Sequence, residues 1–497
     1  MIGKREFGDY QTPYEFAARI CNFLMTERNV KPATILEPTC GVGNFLKAAS
    51  IFKAEKYFGI EINPAYCKTC AKVFDDPRLE IICANFFEYD LSALPKDNLL
   101  IIGNPPWANN ETLSKLNSDN LPTKSNFKKL RGLDALTGAS NFDICEYILL
   151  KLLNEFRNSD VTLSMLCKTS TARNIYKELR RAEFNFSCCE IFEFDAAKIF
   201  GISASACLLF IILTADEIKS PCKIFSLDEP RAPKNILTCR AGLLVSDSAK
   251  NFFGKSCFEW RQGIKHDCTK ILELTVTNGI FRNGLGEVVD IESDLIFPLI
   301  KSSMIKTSLL NEFSKYLPVT QRRMNEDTNP IESKFPKAWR YLKAHEDFFA
   351  KRKSSIWHGK PKFSLFGVGD YSFAKYKVVV SGFYKMPLFA LAYSSKSVMA
   401  DDTTYFIGFE NYDAAYAAML LLNSEPVQKF LMSNVFLDAK RPYTKKFLER
   451  LDFEKILAAL SFEDLKRTEA RLALKNYLTN SMLDKFSLLI GTQSALF

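Results

Sequence analysis

Residues 101–107 read Ile101-Ile102-Gly103-Asn104-Pro105-Pro106-Trp107. Two successive prolines fix the backbone and remove two N–H donors, leaving carbonyls turned outward. Asn104 adds a side-chain carbonyl beside them. Two preorganised acceptors, the Asn104 side-chain oxygen and the Pro105 carbonyl, can grip both hydrogens of an exocyclic amine. They also stabilise the charge that grows on its nitrogen as it attacks. Trp107, next in sequence, offers a face on which a planar base can stack.

A second chemical segment is Glu37-Pro38-Thr39-Cys40-Gly41-Val42-Gly43-Asn44-Phe45. A G-x-G turn that follows a strand and opens a helix lets a ligand approach the backbone, because a Cβ would collide with it. Eighteen residues past Gly43, Glu61 ends the next apolar run, where a carboxylate can accept both hydroxyls of a ribose. The third glycine of the dinucleotide fingerprint is replaced by Asn44-Phe45-Leu46. The pattern therefore predicts a nucleoside ligand without a pyrophosphate, and S-adenosyl-L-methionine fits that description. A structural turn with a surface glutamate is the plainer alternative for these residues taken alone.

The elements that must position these segments are legible as periodicity. Residues 33–37 form a short apolar strand, and helical sequence follows over 44–49. A strand over 57–62 precedes a helix opened by Asn63-Pro64. Ile81–Cys83, Leu99–Ile102, Val161–Leu166 and Cys207–Leu213 are further strands, with helices over 142–157 and 172–182. Strands of four to seven apolar residues alternating with helices predict a parallel, doubly wound α/β sheet of Rossmann-like kind. This organisation is expected to end near residue 215. A polar stretch over 108–140 interrupts it, of a length that is usually functional or mobile.

Beyond 215 a connection is expected over 216–260, marked by Pro221, Pro230 and Pro233. A mixed α/β domain follows over 261–450, with helices near 336–352 and 410–434 and strands near 375–381 and 388–393. The last expected piece is a C-terminal helical segment over 451–497.

The chain has 497 residues, of which 47% are hydrophobic and 25% charged, near the averages of globular proteins. Its longest apolar run, 204–214, is too short to span a bilayer, and the N-terminal residues carry no export signal. A cytoplasmic protein without membrane association is expected. All 14 cysteines lie between Cys21 and Cys268 and read as reduced, mostly buried thiols. Three histidines are too few and too scattered for a zinc site, so no metal is expected.

Residues 1–200 carry 25 basic and 25 acidic side chains, which leaves the entire +9 in residues 201–497. The window 351–400 holds nine basic residues against Asp370 alone. Its candidate phosphate contacts are Lys351, Arg352, Lys353, Lys360, Lys362, Lys375, Lys377 and Lys385, interleaved with aromatics that can reach bases or sugars. A solvated face over an aromatic core is the alternative for any single one of them.

Asn-Pro-Pro-aromatic after a Glu-Pro-x-Cys-Gly-x-Gly-x-Phe strand and turn resembles the N6-adenine DNA methyltransferases. The order of motifs, with Gly8-Asp9-Tyr10-Gln11-Thr12-Pro13 ahead of the first helix and a large recognition domain last, resembles their gamma class, as found in type II restriction–modification systems. The match covers about residues 8–215. The resemblance implies that Thr12, Glu37, Pro38, Thr39, Cys40, Gly41, Gly43, Glu61 and Pro106 line an S-adenosyl-L-methionine pocket, with Asn104, Pro105 and Trp107 catalytic.

It places Asn85, with its neighbour Phe86, where the family usually has an aspartate accepting from the cofactor's adenine amine. Asn keeps an acceptor oxygen but not the charge. It also pairs Phe200 with Trp107 as the aromatics that sandwich the flipped target base, core packing being the alternative for Phe200. Asn141-Phe142-Asp143 matches a weaker pattern and is given a structural role. Double-stranded DNA is the implied partner, with a separate cognate restriction endonuclease, and the enzyme is expected to act as a monomer.

Competing functions remain, among them a non-catalytic specificity subunit. The same tetrapeptide serves methylation of ribosomal RNA adenines and protein glutamines, but a C-terminal half of nearly 300 residues favours DNA. A fused restriction–modification enzyme is another, and Glu217-Ile218-Lys219 is the one mildly nuclease-like triplet after the first domain.

Overall fold

The computed structural model describes residues 11–73, 77–107, 143–202, 205–240, 243–246, 252–435 and 441–496. The stretch expected to be mobile, 108–140, lies outside them. The chain divides into two compact units, Met1–Ser248 and Ala249–Phe497.

In the first unit the elements run α1 (Tyr14–Glu27), β1 (Thr34–Glu37), α2 (Asn44–Ala49), β2 (Lys56–Glu61), α3 (Pro64–Val73), β3 (Leu79–Cys83) and β4 (Leu99–Gly103). They continue with α4 (Ile144–Glu155), β5 (Val161–Lys168), α5 (Thr169–Arg181), β6 (Phe186–Asp195), α6 (Ala196–Phe200) and β7 (Ser205–Leu213). Strands β8 (Cys222–Ser226), β9 (Asn235–Arg240) and β10 (Leu243–Ser246) complete the unit. The sheet has ten strands in the order β10-β9-β8-β6-β7-β5-β4-β1-β2-β3.

Strands β3, β2, β1, β4 and β5 are mutually parallel. Their centre is buried on both faces: every residue of β1 and β4 is buried. That burial explains the continuous apolar runs.

The doubly wound expectation holds for this part, and the structure differs from it beyond β5. Strand β7 inserts antiparallel between β5 and β6. β6, Phe-Ser-Cys-Cys-Glu-Ile-Phe-Glu-Phe-Asp, is a ten-residue strand that had not been expected, because charged Glu190, Glu193 and Asp195 break its apolar run. The sheet also runs past residue 215. β8 joins β6 in parallel, and β9 and β10 add antiparallel edges. The segment expected as a connection over 216–260 thus supplies strands up to Ser246.

The second unit is mixed α/β. One five-stranded sheet contains Arg261–Gln262, Thr404–Phe409, Tyr376–Ser381, Phe389–Tyr393 and Leu309–Leu310 in that order. A second has the order Ile280–Arg282, Leu274–Thr277, Lys315–Pro318, Ile296–Ile300 and Met399–Ala400. The helix Tyr412–Asn423 packs on the first sheet, and Phe453, Ile456, Leu465, Phe486 and Ile490 from the C-terminal helices join the same core. Among the described residues, no helix is long and apolar enough to cross a membrane.

Candidate active site

The sheet reverses direction of growth between β1 and β4. After β1 the chain adds β2 and β3 to one side, then returns to place β4 and β5 on the other. Ligands of open α/β sheets bind at such a switch point, outside the carboxyl ends of the strands. The register pairs Leu36 with Ile101. The Glu37 turn and Asn104 therefore leave neighbouring strands at the same edge, with Glu61 ending β2 and Asn85 two residues beyond β3.

Local chemistry shapes the turn after β1. Gly41 and Gly43 take φ of 53° and 87°, a left-handed region that strains any residue with a Cβ. A Cβ on Gly43 would stand 2.5 Å from Cys70 Sγ, so the turn is also closed by packing against α3. Gly41 N–H donates to Glu61 Oε2 at 2.8 Å, and Asn63 N–H donates to Glu61 Oε1 at 2.8 Å. Glu61 ties the turn to the end of β2 while remaining partly exposed. Asn44 Nδ2 donates to the Thr12 carbonyl at 2.8 Å, which brings the segment before α1 onto the same turn.

Several buried polar atoms at this edge have no hydrogen-bond partner among the described residues: Thr12 Oγ1, Glu37 Oε2, Thr39 Oγ1 and Trp107 Nε1. Orphan polar atoms in a folded core are uncommon, and a cluster of them marks a place where a polar ligand completes the bonding. Glu37 is almost fully buried. Burial pushes its carboxyl well above the ordinary range, and negative charge on Cys70 and Glu61 pushes the same way. The glycine turn, Glu61 and these orphans suit a nucleoside cofactor with a polar amino-acid tail.

Asn85 Oδ1 already accepts from Phe87 N–H at 3.0 Å, so one lone pair of that acceptor serves the local turn. Phe86 is buried, and its carbonyl receives a hydrogen bond from Lys151 Nζ at 2.7 Å. Lys151 also donates to the carbonyls of Phe87 at 3.0 Å and Tyr89 at 2.8 Å, shaping this loop. Its solitary charge within Ile-Leu-Leu-Lys-Leu-Leu of α4 was the signal that sequence reading passed over.

Asn104 is half-buried, with its Oδ1 buried. Pro105 and Trp107 are buried and Pro106 is partly exposed. Trp107 meets Phe200 with ring centroids 5.6 Å apart and planes at 70°. The two aromatics, far apart in sequence, are in contact. They meet edge to face, the arrangement their quadrupoles favour, and do not flank a slot as a sandwich would. Phe200 also touches the rings of Phe16 and Phe194. Asp143 caps α4 by accepting from Cys145 N–H at 3.0 Å, in keeping with a structural role.

In the second unit, Lys351, Lys353, Lys360, Lys362, Lys375 and Lys385 are exposed, and Lys362 pairs with Glu346. Two residues of the window are not available to phosphate. Lys377 is fully buried, donates to the Ala374 carbonyl at 2.8 Å, and burial pulls its ammonium down to about 7. Its strand, Tyr-Lys-Val-Val-Val-Ser, is buried from Lys377 onward. Arg352 is committed to its own loop. Its guanidinium donates to the carbonyls of Phe349 (3.2 Å), Ser364 (2.8 Å) and Lys362 (3.0 Å) and lies 3.8 Å over the Trp357 ring. Trp357, Phe363 and Phe389 are likewise core residues. Among the described residues, no group of three or more His, Cys, Asp or Glu could hold a metal ion.

A glycine turn, a strand-end carboxylate and an Asn-Pro-Pro-Trp on adjoining strands of a doubly wound sheet define a Rossmann-like methyltransferase. The chain belongs to the type II methyltransferase family. It is 40% identical over 468 residues to the type II methyltransferase M.NspV of Nostoc sp., spanning 91% of this chain and 97% of that one. It is also 33% identical over 97 residues to the type II methyltransferase M.CvrRI of Paramecium bursaria Chlorella virus XZ-6E, covering 19% of this chain and 24% of that relative. The structure of the type IIL restriction–modification enzyme MmeI in complex with DNA shares the fold at a TM-score of 0.51 and 12% identity. That likeness covers 97% of this chain and 76% of that one. No family model matches the chain.

Proposed function

We propose that the protein is the modification enzyme of a restriction–modification system and methylates N6 of adenine in duplex DNA, using S-adenosyl-L-methionine. The observation that carries the reading is Asn104-Pro105-Pro106-Trp107 leaving β4 beside the Glu37–Gly43 turn of β1. The family membership and the unpartnered polar atoms at that edge support it. The long relative, M.NspV, is a type II methyltransferase, and MmeI is seen in complex with DNA.

When bound, the cofactor supplies an electrophilic methyl group on sulfur. Thr12, Thr39, Glu37 and the Gly41–Gly43 backbone would hold its polar tail and centre. Glu61 would take its ribose hydroxyls, and Asn85 and Phe86 its base.

The target amine is a poor nucleophile, because its lone pair is shared with the ring. Asn104 Oδ1 and the Pro105 carbonyl accept its two hydrogens, draw that pair back onto nitrogen and stabilise the charge that develops. Each such acceptor is worth about 3 kcal/mol in a dry, preorganised site. Extruding the base costs a few kcal/mol of stacking and pairing, which contact with Trp107 offsets. Phe200 must rotate away from its edge-on contact if it is to stack on the opposite face. The exposed lysines of 351–385 supply non-specific phosphate contacts.

Asn104→Ala is expected to lower methyl transfer into unmethylated plasmid DNA by about 10²- to 10³-fold, with cofactor binding retained. Sequencing of the methylated positions identifies the base. Label in cytosine, RNA or protein, or near-normal transfer by Asn104→Ala, overturns the reading.

A further inference from the structure

Lys168 is the last residue of β5 and stands beside the Asn-Pro-Pro-Trp segment. The parallel register pairs Gly103 with Met165, so Lys168 lies three residues on, alongside Pro106. Its Nζ donates to the Trp107 carbonyl at 3.2 Å and to Asp143 Oδ2 at 2.8 Å. Asp143 is itself held, because its Oδ1 accepts from Cys145 N–H at the start of α4. The ammonium and the carboxylate are both largely shielded from water, at 26% and 13% side-chain exposure.

Lys168 is a poor local choice. It occupies the N-cap of α5 and makes no side-chain cap bond, where Ser, Thr, Asp or Asn would satisfy an N–H. A cation there also opposes the positive end of the helix. Residues that break a local rule are expected where function demands them. Rings fix φ at Pro105 and Pro106, but nothing of that kind restrains Trp107. The hydrogen bond from Lys168 restrains it.

We propose that Lys168 is a positioning residue for methyl transfer: anchored by Asp143, it clamps the Trp107 carbonyl and so fixes the indole and the Asn104 acceptors before a base arrives. The proposal rests on the function given above. It assigns Lys168 no contact with substrate or cofactor. A misplacement of about 1 Å at the reacting centre costs on the order of 10²-fold in rate, and a lost charge-assisted hydrogen bond leaves room for such a shift.

The test compares the full-length wild type with Lys168→Met, Lys168→Arg and Asp143→Asn. Three readouts are used: methyl transfer to unmethylated plasmid DNA, titration with the cofactor analogue sinefungin, and thermal melting. Lys168→Met is expected to lose roughly 10- to 100-fold in kcat, with KM for DNA, sinefungin affinity and Tm close to wild type. Lys168→Arg recovers most of the loss, and Asp143→Asn, which keeps the helix cap, falls between.

A readout independent of methylation uses 5-fluorotryptophan and 19F NMR, with the Trp107 line assigned by Trp107→Phe. Lys168→Met should shift or broaden that line and leave those of Trp260, Trp339 and Trp357 in place. The proposal is overturned by an unmoved Trp107 line, by wild-type kcat in Lys168→Met, or by kcat falling in step with sinefungin affinity and Tm. If the wild type itself transfers no methyl to DNA, the functional reading fails, and the fluorine line still decides the clamp.

Discussion

Glu37 provides a sharp test of how the site is built. Its carboxyl is buried at the carboxyl end of β1, and burial first, then negative charge on Cys70 and Glu61, raise its pKa well above 4.5. The folded chain therefore holds a proton that the unfolded chain releases near 4.5. Where the folded state binds more protons, stability falls as pH rises, by about 1.4 kcal/mol per pH unit for one group. Glu37→Gln keeps the volume and removes the titration.

As pH rises above 4.5 the variant should gain on the wild type, by up to about 1.4 kcal/mol per pH unit until the folded carboxyl ionises. At about 2–4 °C per kcal/mol for 150–250 residues, that is roughly 3–6 °C in Tm per pH unit. Differential scanning calorimetry of the ligand-free protein, following the transition that contains the first unit, measures it. Tm curves that run parallel from pH 4.5 upward would mean that the Glu37 carboxyl is not raised by folding, and the account of a buried acid held neutral at the cofactor edge would be wrong.

Gly43→Ala should weaken sinefungin binding at least tenfold and lower stability, since it places a Cβ 2.5 Å from Cys70 Sγ at φ of 87°. A left-handed alanine alone costs about 1–2 kcal/mol, so adding Cys70→Ala should recover part of the loss; full recovery would show that backbone strain contributes nothing. In the second unit, Lys353→Ala with Lys360→Ala should lower the slope of log affinity for plasmid DNA against log salt by about two. Lys377→Met should leave that slope unchanged. The buried ammonium of Lys377 costs stability below about pH 7, and the cost fades as pH rises towards its ordinary value. Lys377→Met should therefore melt higher than wild type at pH 6–7, with the advantage shrinking by pH 9.

Strands β1 and β4 were legible because parallel strands buried on both faces must be apolar throughout, and the turn after β1 because its glycines have a conformational reason. β6 was missed because Glu190, Glu193 and Asp195 interrupt its apolar residues without a regular period of two. β8 to β10 were missed because short strands beside Pro221, Pro230 and Pro233 read as a connection. Lys377 and Arg352 were misassigned for one reason: composition counts charges without saying which way a side chain points. Lys377 turns into a core and Arg352 into its own carbonyls. Lys168 and Lys151 went unnoticed because their value lies in backbone oxygens 61 to 65 residues away, which no local spacing reveals.

The seam between β1 and β4 has one more implication. Parallel neighbours sit about 4.8 Å apart, while reacting atoms in a near-attack arrangement need to approach to about 3–3.5 Å. On the proposed reading, the ends of β1, β2 and β3, with Thr12 ahead of α1, carry most of what holds the donor, and β4 and β5 carry what handles the acceptor. The spacing between two hydrogen-bonded backbones thereby becomes the ruler for the reaction. Redesign of the acceptor half could proceed on β4, β5 and α6 without touching the donor half, provided the three-residue ladder from Thr34 to Leu36 stays in register.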